Sequence, residues 1–418
     1  MLQSKMELMA PAGSYESLMA AIQAGADSVY FGLDQLNMRN RSGSNFTIED
    51  LPKISEICQI NNIKCYLTLN TIIYDGDMDM VKSILTAAKE NNINAVIASD
   101  HAVMNFAKKN GLNIHISTQC NLTNIDSVEF YSTYADVMVM ARELTLVQVA
   151  EINREIENRK ICGPSGKLVR TEVFGHGALC MSVSGKCYLS LHSKSSSANR
   201  GSCAQNCRRK YVVIEKETGN ELEIDNEYIM SGKDLCTIDF LDKIISAGVS
   251  VLKIEGRGRS SDYVYTATKC YREAIDACFA GDYTPEKAIE WKERLATVFN
   301  RGFWDGYYLG KTIGEWSNKY GSKATQRKVL IGKAVNYFKG KQVAVFLMES
   351  QSLSVGEEII ITGPTTGIIQ VKIDELRVDD IPKEQVNKGD IFSIILDKKT
   401  RLSDKLYKIV DYTEQFDQ

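Results

Sequence analysis

Histidine is scarce in this chain. There are four, His101, His115, His176 and His192, and none sits in a His-Glu-x-x-His pattern, so the helix-borne zinc site of many peptidases is missing. Long apolar runs are missing too: nothing approaches the roughly 18 apolar residues of a membrane span. The opening Met1-Leu2-Gln3-Ser4-Lys5-Met6-Glu7 has no apolar leader core, so a cytoplasmic location with no membrane is expected. Charge of one sign is nearly balanced, and a net charge of −3 does not advertise nucleic-acid binding, although local patches decide that question.

Cysteine, by contrast, is abundant. Eleven residues is a large and odd number for a chain expected in a reducing compartment, where clustered cysteines point to metal or redox chemistry rather than to disulfides. Cys58, Cys65, Cys120, Cys162, Cys270 and Cys278 are scattered, mostly among apolar neighbours, and read as small buried hydrophobes. Cys236 is a candidate spare ligand. Cys180, Cys187, Cys203 and Cys207 are different, with a Cys-x6-Cys-x15-Cys-x3-Cys spacing in a segment rich in Gly, Ser and Arg. Four thiolates of this kind hold either an iron–sulfur cluster or a tetrahedral zinc. Only Cys203 and Cys207 have the close spacing usual at zinc, and the wide first interval suits a cubane slightly better, so composition leaves both metals open.

With 418 residues, 44% of them apolar, the chain has room for one large domain and a smaller one. From residue 6 to about 280, short β-like runs alternate with helical patterns such as Tyr15 to Ala24, Met78 to Asn91 and Leu144 to Glu155. The runs begin at Glu7, Ser28, Cys65, Ala95, Ile114, Val137, Glu172 and Val251. Eight strands alternating with helices predict an α/β fold, a (β/α)8 TIM-like barrel, with a doubly wound open sheet as the competitor. On this reading residues 1–284 form the catalytic domain, interrupted after the seventh strand by a cysteine-rich insertion at 175–230. Residues 285–324 form a helical, then aromatic-rich connector, and 325–418 a small all-β barrel with turns at Gly363-Pro364 and Lys388-Gly389-Asp390.

A barrel gathers its working groups at the C-terminal ends of the strands. Those ends supply Asn70, Ser99-Asp100-His101, Ser117-Thr118-Gln119, Arg142-Glu143, Gly175-His176-Gly177 and Glu255-Gly256-Arg257. Arg142, Arg257 and Arg39 can clamp a carboxylate or phosphate through the guanidinium fork, or simply pair with Glu143 or Glu255. His176 is a candidate acid–base group or a loop cap, and Glu255 is a candidate pocket carboxylate. Basic residues cluster at Lys194, Arg200 and Arg208-Arg209-Lys210, and again at Lys319, Lys323, Arg327, Lys328, Lys333, Lys339 and Lys341. Tyr188, Tyr211, Trp316, Tyr320, Tyr337 and Phe338 lie among them, so these segments read either as a solvated charged face or as an RNA-binding surface with stacking residues.

Several motifs together resemble a known family. Glu172-Val173-Phe174-Gly175-His176-Gly177-Ala178-Leu179-Cys180, Ser184-Gly185-Lys186-Cys187, Asn199-Arg200-Gly201-Ser202-Cys203-Ala204-Gln205-Asn206-Cys207-Arg208 and Lys253-Ile254-Glu255-Gly256-Arg257 look like the collagenase-like peptidase family U32, as do Ala10-Pro11-Ala12-Gly13 and Gly25-Ala26-Asp27-Ser28. The resemblance implies a 4Fe-4S cluster on Cys180, Cys187, Cys203 and Cys207. It also implies RNA hydroxylation, as in proteins that form 5-hydroxyuridine at the tRNA wobble position or hydroxylate rRNA. Prephenate, a small dicarboxylate, would be the co-substrate, which suits the strand-end arginines, and a reductant protein is a possible partner. Where similar proteins commonly carry an aromatic residue after the last Cys-Arg, this chain has Arg209, which bears on subfamily and not on the ligand positions. The C-terminal barrel resembles the second domain of translation factors.

Three other functions compete. The peptidase implied by the family name lacks an evident apparatus, because a Cys–His pair through His176 would compete with metal ligation. An RNA-binding protein with a structural metal would not need such polar strand ends. Hydroxylation of a small aromatic or quinone precursor leaves the C-terminal barrel without a role.

Overall fold

The computed structural model describes residues 6–39, 45–211, 230–310, 314–319 and 321–412. Residues 212–229 of the predicted insertion and Tyr320 therefore lie outside the described residues.

Short apolar runs form strands here because they are buried on both faces, as parallel strands beneath helices must be. β1 (Glu7–Pro11), β2 (Ser28–Gly32), β3 (Lys64–Leu69), β4 (Ala95–Ala98), β5 (Ile114–Ile116), β6 (Val137–Val139) and β7 (Arg170–Ala178) pair in sequence, all parallel. β8 (Asp234–Cys236) leaves this order, and β9 (Val251–Ile254) closes the ring by pairing parallel with both β7 and β1. The result is the expected closed eight-stranded barrel, not an open sheet.

Helices follow the strands: α1 (Tyr15–Gln23), α2 (Leu51–Ile60), α3 (Met78–Glu90), α4 (His101–Lys109), α5 (Ile125–Ser132) and α6 (Leu146–Arg159). Their starts are set by side-chain caps. Ser14 accepts the Ser17 N–H at 3.2 Å, and Thr145 forms a reciprocal capping box with Gln148. α7 (Leu189–Lys194) lies in the cysteine segment, α8 (Leu241–Ser246) follows β8, and α9 (Ser261–Ala280) and α10 (Pro285–Ala296) complete the domain. Among the described residues no helix is long and apolar enough to cross a membrane.

Three features differ from expectation. β7 continues through Gly175 to Ala178, because its far end pairs antiparallel with β8, His176 opposite Cys236. β8 in turn pairs with β10 (Phe303–Trp304), so the aromatic-rich connector extends the sheet. Among the scattered cysteines, Cys162 is exposed while Cys58, Cys65 and Cys270 are buried as predicted.

The lower barrel interior is ionic. Lys253 Nζ lies 2.8 Å from Glu172 Oε1, and Glu7 accepts bonds from Tyr66, Lys64 and Arg170. From Gln326 to Asp411 an eight-stranded antiparallel sheet encloses its own core, including Ile331, Phe346, Ile361, Phe392 and Leu406. It docks on α1, where Ala20 meets Ile360 and Ile368. The Gln23 side chain donates to Thr366 O at 2.8 Å and accepts the Ile368 N–H at 2.9 Å.

Candidate functional site

The C-terminal strand ends and the cysteine segment enclose a cavity of about 410 Å3. Its floor is built around Glu255, one residue past β9. Arg39 donates from Nη2 and Nε to Glu255 Oε1 at 2.8 and 3.2 Å, and Tyr30 donates its hydroxyl to Oε2 at 3.2 Å and to Ile254 O at 2.9 Å. Burial opposes ionisation of Glu255, but Arg39, Arg142 and Arg257 outweigh it and bring the carboxyl down to about 2. Glu255 is therefore an anion held by three guanidiniums.

The arginines have different partners. Arg257 is buried and donates to Thr68 Oγ1 at 2.8 Å and Asn37 Oδ1 at 3.0 Å; burial lowers its pKa to about 10. Arg142 lies with its guanidinium 3.9 Å from the Phe174 ring centroid and donates to Ala178 O at 3.1 Å, not to Glu143. Its buried Nε has no acceptor among the described residues. Of the three, Arg39 alone makes the ion pair with Glu255 that the sequence offered as the structural alternative. One carboxylate against three guanidiniums leaves the floor positive, which suits a small anion.

The other wall carries the thiols. Cys180, Cys187, Cys203 and Cys207 all line this cavity. The Cys207 thiol is pushed up by burial, eased by Arg208, and raised further by Cys180, Cys203 and Cys187, so these sulfurs act on one another. Arg208 ties the segment together: it donates to Leu179 O at 2.7 Å, to Gly232 O at 2.5 Å and to Ser231 Oγ at 3.1 Å. Ser190 Oγ accepts the Ala204 N–H at 2.9 Å and Asn206 donates to Leu189 O at 3.2 Å, fastening α7 to the Cys203–Cys207 turn.

Glu255, Arg257 and Arg142 thus share one cavity with the four cysteines, and His176 does not. Its ring is buried among Tyr263, Tyr271 and Phe303, with centroids 5.9, 5.5 and 5.7 Å away, and burial lowers its pKa to about 3. Enclosed this way it is a core residue, not an acid–base group facing substrate. Cys236 is likewise no spare ligand. It is buried beside Tyr271, and burial pushes its thiol up to about 11. His101 is exposed and stacks on Tyr131.

Asn70, Ser117, Thr118 and Gln119 line the cavity as the strand-end pattern predicted. Tyr30 and Lys253 line it as well and were not anticipated, because strands buried throughout carry no alternation to reveal the inward residues. Part of the predicted basic face is internally paired: Arg200 with Asp77, Lys328 with Asp262 and Lys333 with Glu349.

Comparison with known proteins agrees with the sequence motifs. The model of Peptidase family U32 matches residues 13–318. A Porphyromonas gingivalis protein named collagenase is 56% identical over 402 residues, 96% of this chain and 97% of that one. A tRNA hydroxylation protein P from Helicobacter pylori is 33% identical over 317 residues, 73% of this chain and 72% of that one. A 23S rRNA 5-hydroxycytidine synthase from Escherichia coli is 30% identical over 274 residues, 65% of this chain and 40% of that one. The extent of the family match and the nearly full-length similarity to the Porphyromonas gingivalis protein establish that the chain belongs to Peptidase family U32.

Proposed function

We propose that this protein is an iron–sulfur-dependent RNA hydroxylase. The observation that carries this reading is the meeting of four thiols with Arg39, Arg142, Arg257 and Glu255 in one cavity at the barrel mouth. Among the described residues no three His, Cys, Asp or Glu side chains are grouped closely enough to hold a metal ion. The four thiols line one cavity, and their wide first interval in sequence suits a cubane slightly better than a single tetrahedral zinc. Cys180, Cys187, Cys203 and Cys207 would hold a 4Fe-4S cluster, which supplies one-electron chemistry when bound. The names of the RNA-modifying relatives support RNA as the substrate class.

The finer reading is formation of 5-hydroxyuridine at a tRNA wobble position with prephenate as co-substrate and a protein reductant. Its support is electrostatic: two carboxylates balance the charge that Glu255 leaves on Arg39, Arg142 and Arg257, and they offer an acceptor to Arg142 Nε. The wall side chains would orient this anion, and Phe174 and Tyr30 would limit water around it.

Mass spectrometry of nucleosides from tRNA and rRNA of a deletion strain tests the proposal. Loss of one hydroxylated nucleoside is expected, and an unchanged profile refutes it. Anaerobically purified protein should be brown and contain iron and sulfide; colourless protein with stoichiometric zinc would refute the cluster.

Proteolysis remains the second reading because of the relative named collagenase. The histidines do not help it: His115 and His176 are buried, and His101 and His192 are exposed on α4 and α7. Cleavage of gelatin by cluster-free protein, abolished by one point substitution, would reinstate it.

A further inference from the structure

A second cavity, of about 560 Å3, adjoins the first and shares Thr118, Arg142, Leu179 and Cys180 with it as a common wall. Its opposite side is aromatic, lined by Trp304, Tyr307 and Trp316. Trp304 and Tyr307 meet edge to face with centroids 5.4 Å apart. A β-carbon on Gly314 would stand 3.6 Å from Trp304 Cη2 and 3.7 Å from Trp316 Cη2, ordinary contact distances, so only a side chain longer than alanine would fill the space between the two indoles.

The polar groups of this cavity are specific. The indole N–H of buried Trp304 has no acceptor among the described residues, and neither has Arg142 Nε. Glu143 adds a carboxylate to the same wall. Both donors lie behind the cavity surface, so a small shift of the wall would bring them to the acceptors of a polar ligand. A pyrimidine offers the complement: carbonyl oxygens that accept, a ring N–H that donates, and two faces that stack on aromatic side chains.

Positive charge lies at the edge of this cavity, part of it already engaged: Lys233 Nζ lies 2.8 Å from Glu315 Oε2, and Lys319 Nζ donates to the Tyr412 hydroxyl at 3.2 Å. Gly232 bridges to Trp316, and Lys233 follows Gly232. Lys323 Nζ and Lys233 Cδ each lie 3.6 Å from where a β-carbon on Gly302 would stand. Lys319 belongs to the same group, since burial and the charges of Lys233 and Lys319 together lower the Lys323 pKa. Such a cluster suits the phosphates on either side of an inserted base.

We propose that the aromatic cavity receives one unstacked pyrimidine base of a single-stranded RNA segment, with Lys323 contacting its backbone. This rests on the RNA-hydroxylase reading and adds the place of the base. The common wall sets the base beside Arg142 and Cys180, next to the thiol-lined cavity.

Fluorescence anisotropy of the full chain with a short labelled oligouridylate, and with the same oligomer lacking its central base, provides the test. The oligouridylate should bind more tightly than the abasic oligomer. Trp316→Ala should weaken oligouridylate binding about ten-fold and Trp316→Phe should restore most of it. Gly314→Leu, which fills the gap between the indoles, should act like Trp316→Ala. Lys323→Ala should reduce the slope of log affinity against log salt by about one.

Equal binding of the two oligomers, or indifference to both Trp316→Ala and Gly314→Leu, overturns the proposal. A collagen-derived peptide that binds through Trp316 when oligouridylate does not would overturn it in favour of a peptide site. If oligouridylate binding depends on Trp316 while a deletion strain keeps every modified nucleoside, the base site stands and the hydroxylase reading falls. If a nucleoside is lost and Trp316→Ala changes neither binding nor modification, the hydroxylase reading stands and this site falls.

Discussion

Gly32 and Arg257 occupy complementary space: a β-carbon on Gly32 would collide with the Arg257 guanidinium and stand 2.9 Å from both Asn37 and Thr68, the residues that hold it. Gly32→Ala should therefore displace the arginine and strain the end of β2. The expected cost is about 1–3 kcal/mol, typical of overpacking, and on the proposed function the variant also loses prephenate binding. Urea unfolding and titration calorimetry would check both; a variant matching wild type in each would show that Arg257 is not fixed in this way.

Glu255 is the counter-charge for three buried or partly buried guanidiniums. Glu255→Gln should destabilise the protein by about 3 kcal/mol, because unpaired charge would remain out of water. A dicarboxylate should then raise the melting temperature of the variant more than that of the wild type. Equal shifts would place the anion elsewhere.

Two histidines make stability depend on pH. Folded His115 and His176 stay neutral down to about pH 3, whereas the ordinary value is 6.5, so below that value the unfolded chain binds more protons. Stability should fall as pH drops from about 6.5 toward 3, by about 1.4 kcal/mol per unit for each histidine. Below about 4.5 the loss steepens, because Glu7 and Glu255 titrate near 2 when folded. His176→Phe should flatten the slope between pH 6 and 5 by about 1.4 kcal/mol per unit and, on the proposed function, leave hydroxylation unchanged. Lost activity with a normal fold would return His176 to the site.

Arg208 holds three acceptors on both flanks of the cysteine segment. On the proposed function, Arg208→Ala should reduce iron per chain several-fold while far-ultraviolet circular dichroism stays the same. Full iron content would make the tether dispensable.

The barrel was legible because its strands are compact apolar runs separated by capped amphipathic helices. β8 was not, since Asp234–Cys236 is three residues long and its pairing with β7 is non-local. The same pairing explains His176. Gly175-His176-Gly177 looks like a strand end followed by a loop, yet the strand continues and the ring turns into an aromatic core. Glu255, Arg142 and Arg257 were found from strand-end position alone. Tyr30 and Lys253 needed coordinates, because the barrel decides which of two equally buried faces points inward. The thiols were legible through their spacing, whereas the indole cavity depends on a bridge between Gly232 and Trp316, distant in sequence.

The ring of strands closes through β7, β9 and β1, and the cysteine segment takes no part in that closure. Closure of the ring therefore does not depend on the cysteine segment, although Arg200 fastens that segment to Asp77. On the proposed function, oxygen damage to a cluster at the thiols would leave the strand ring closed, so recovery would call for reloading the site and not for folding a new chain.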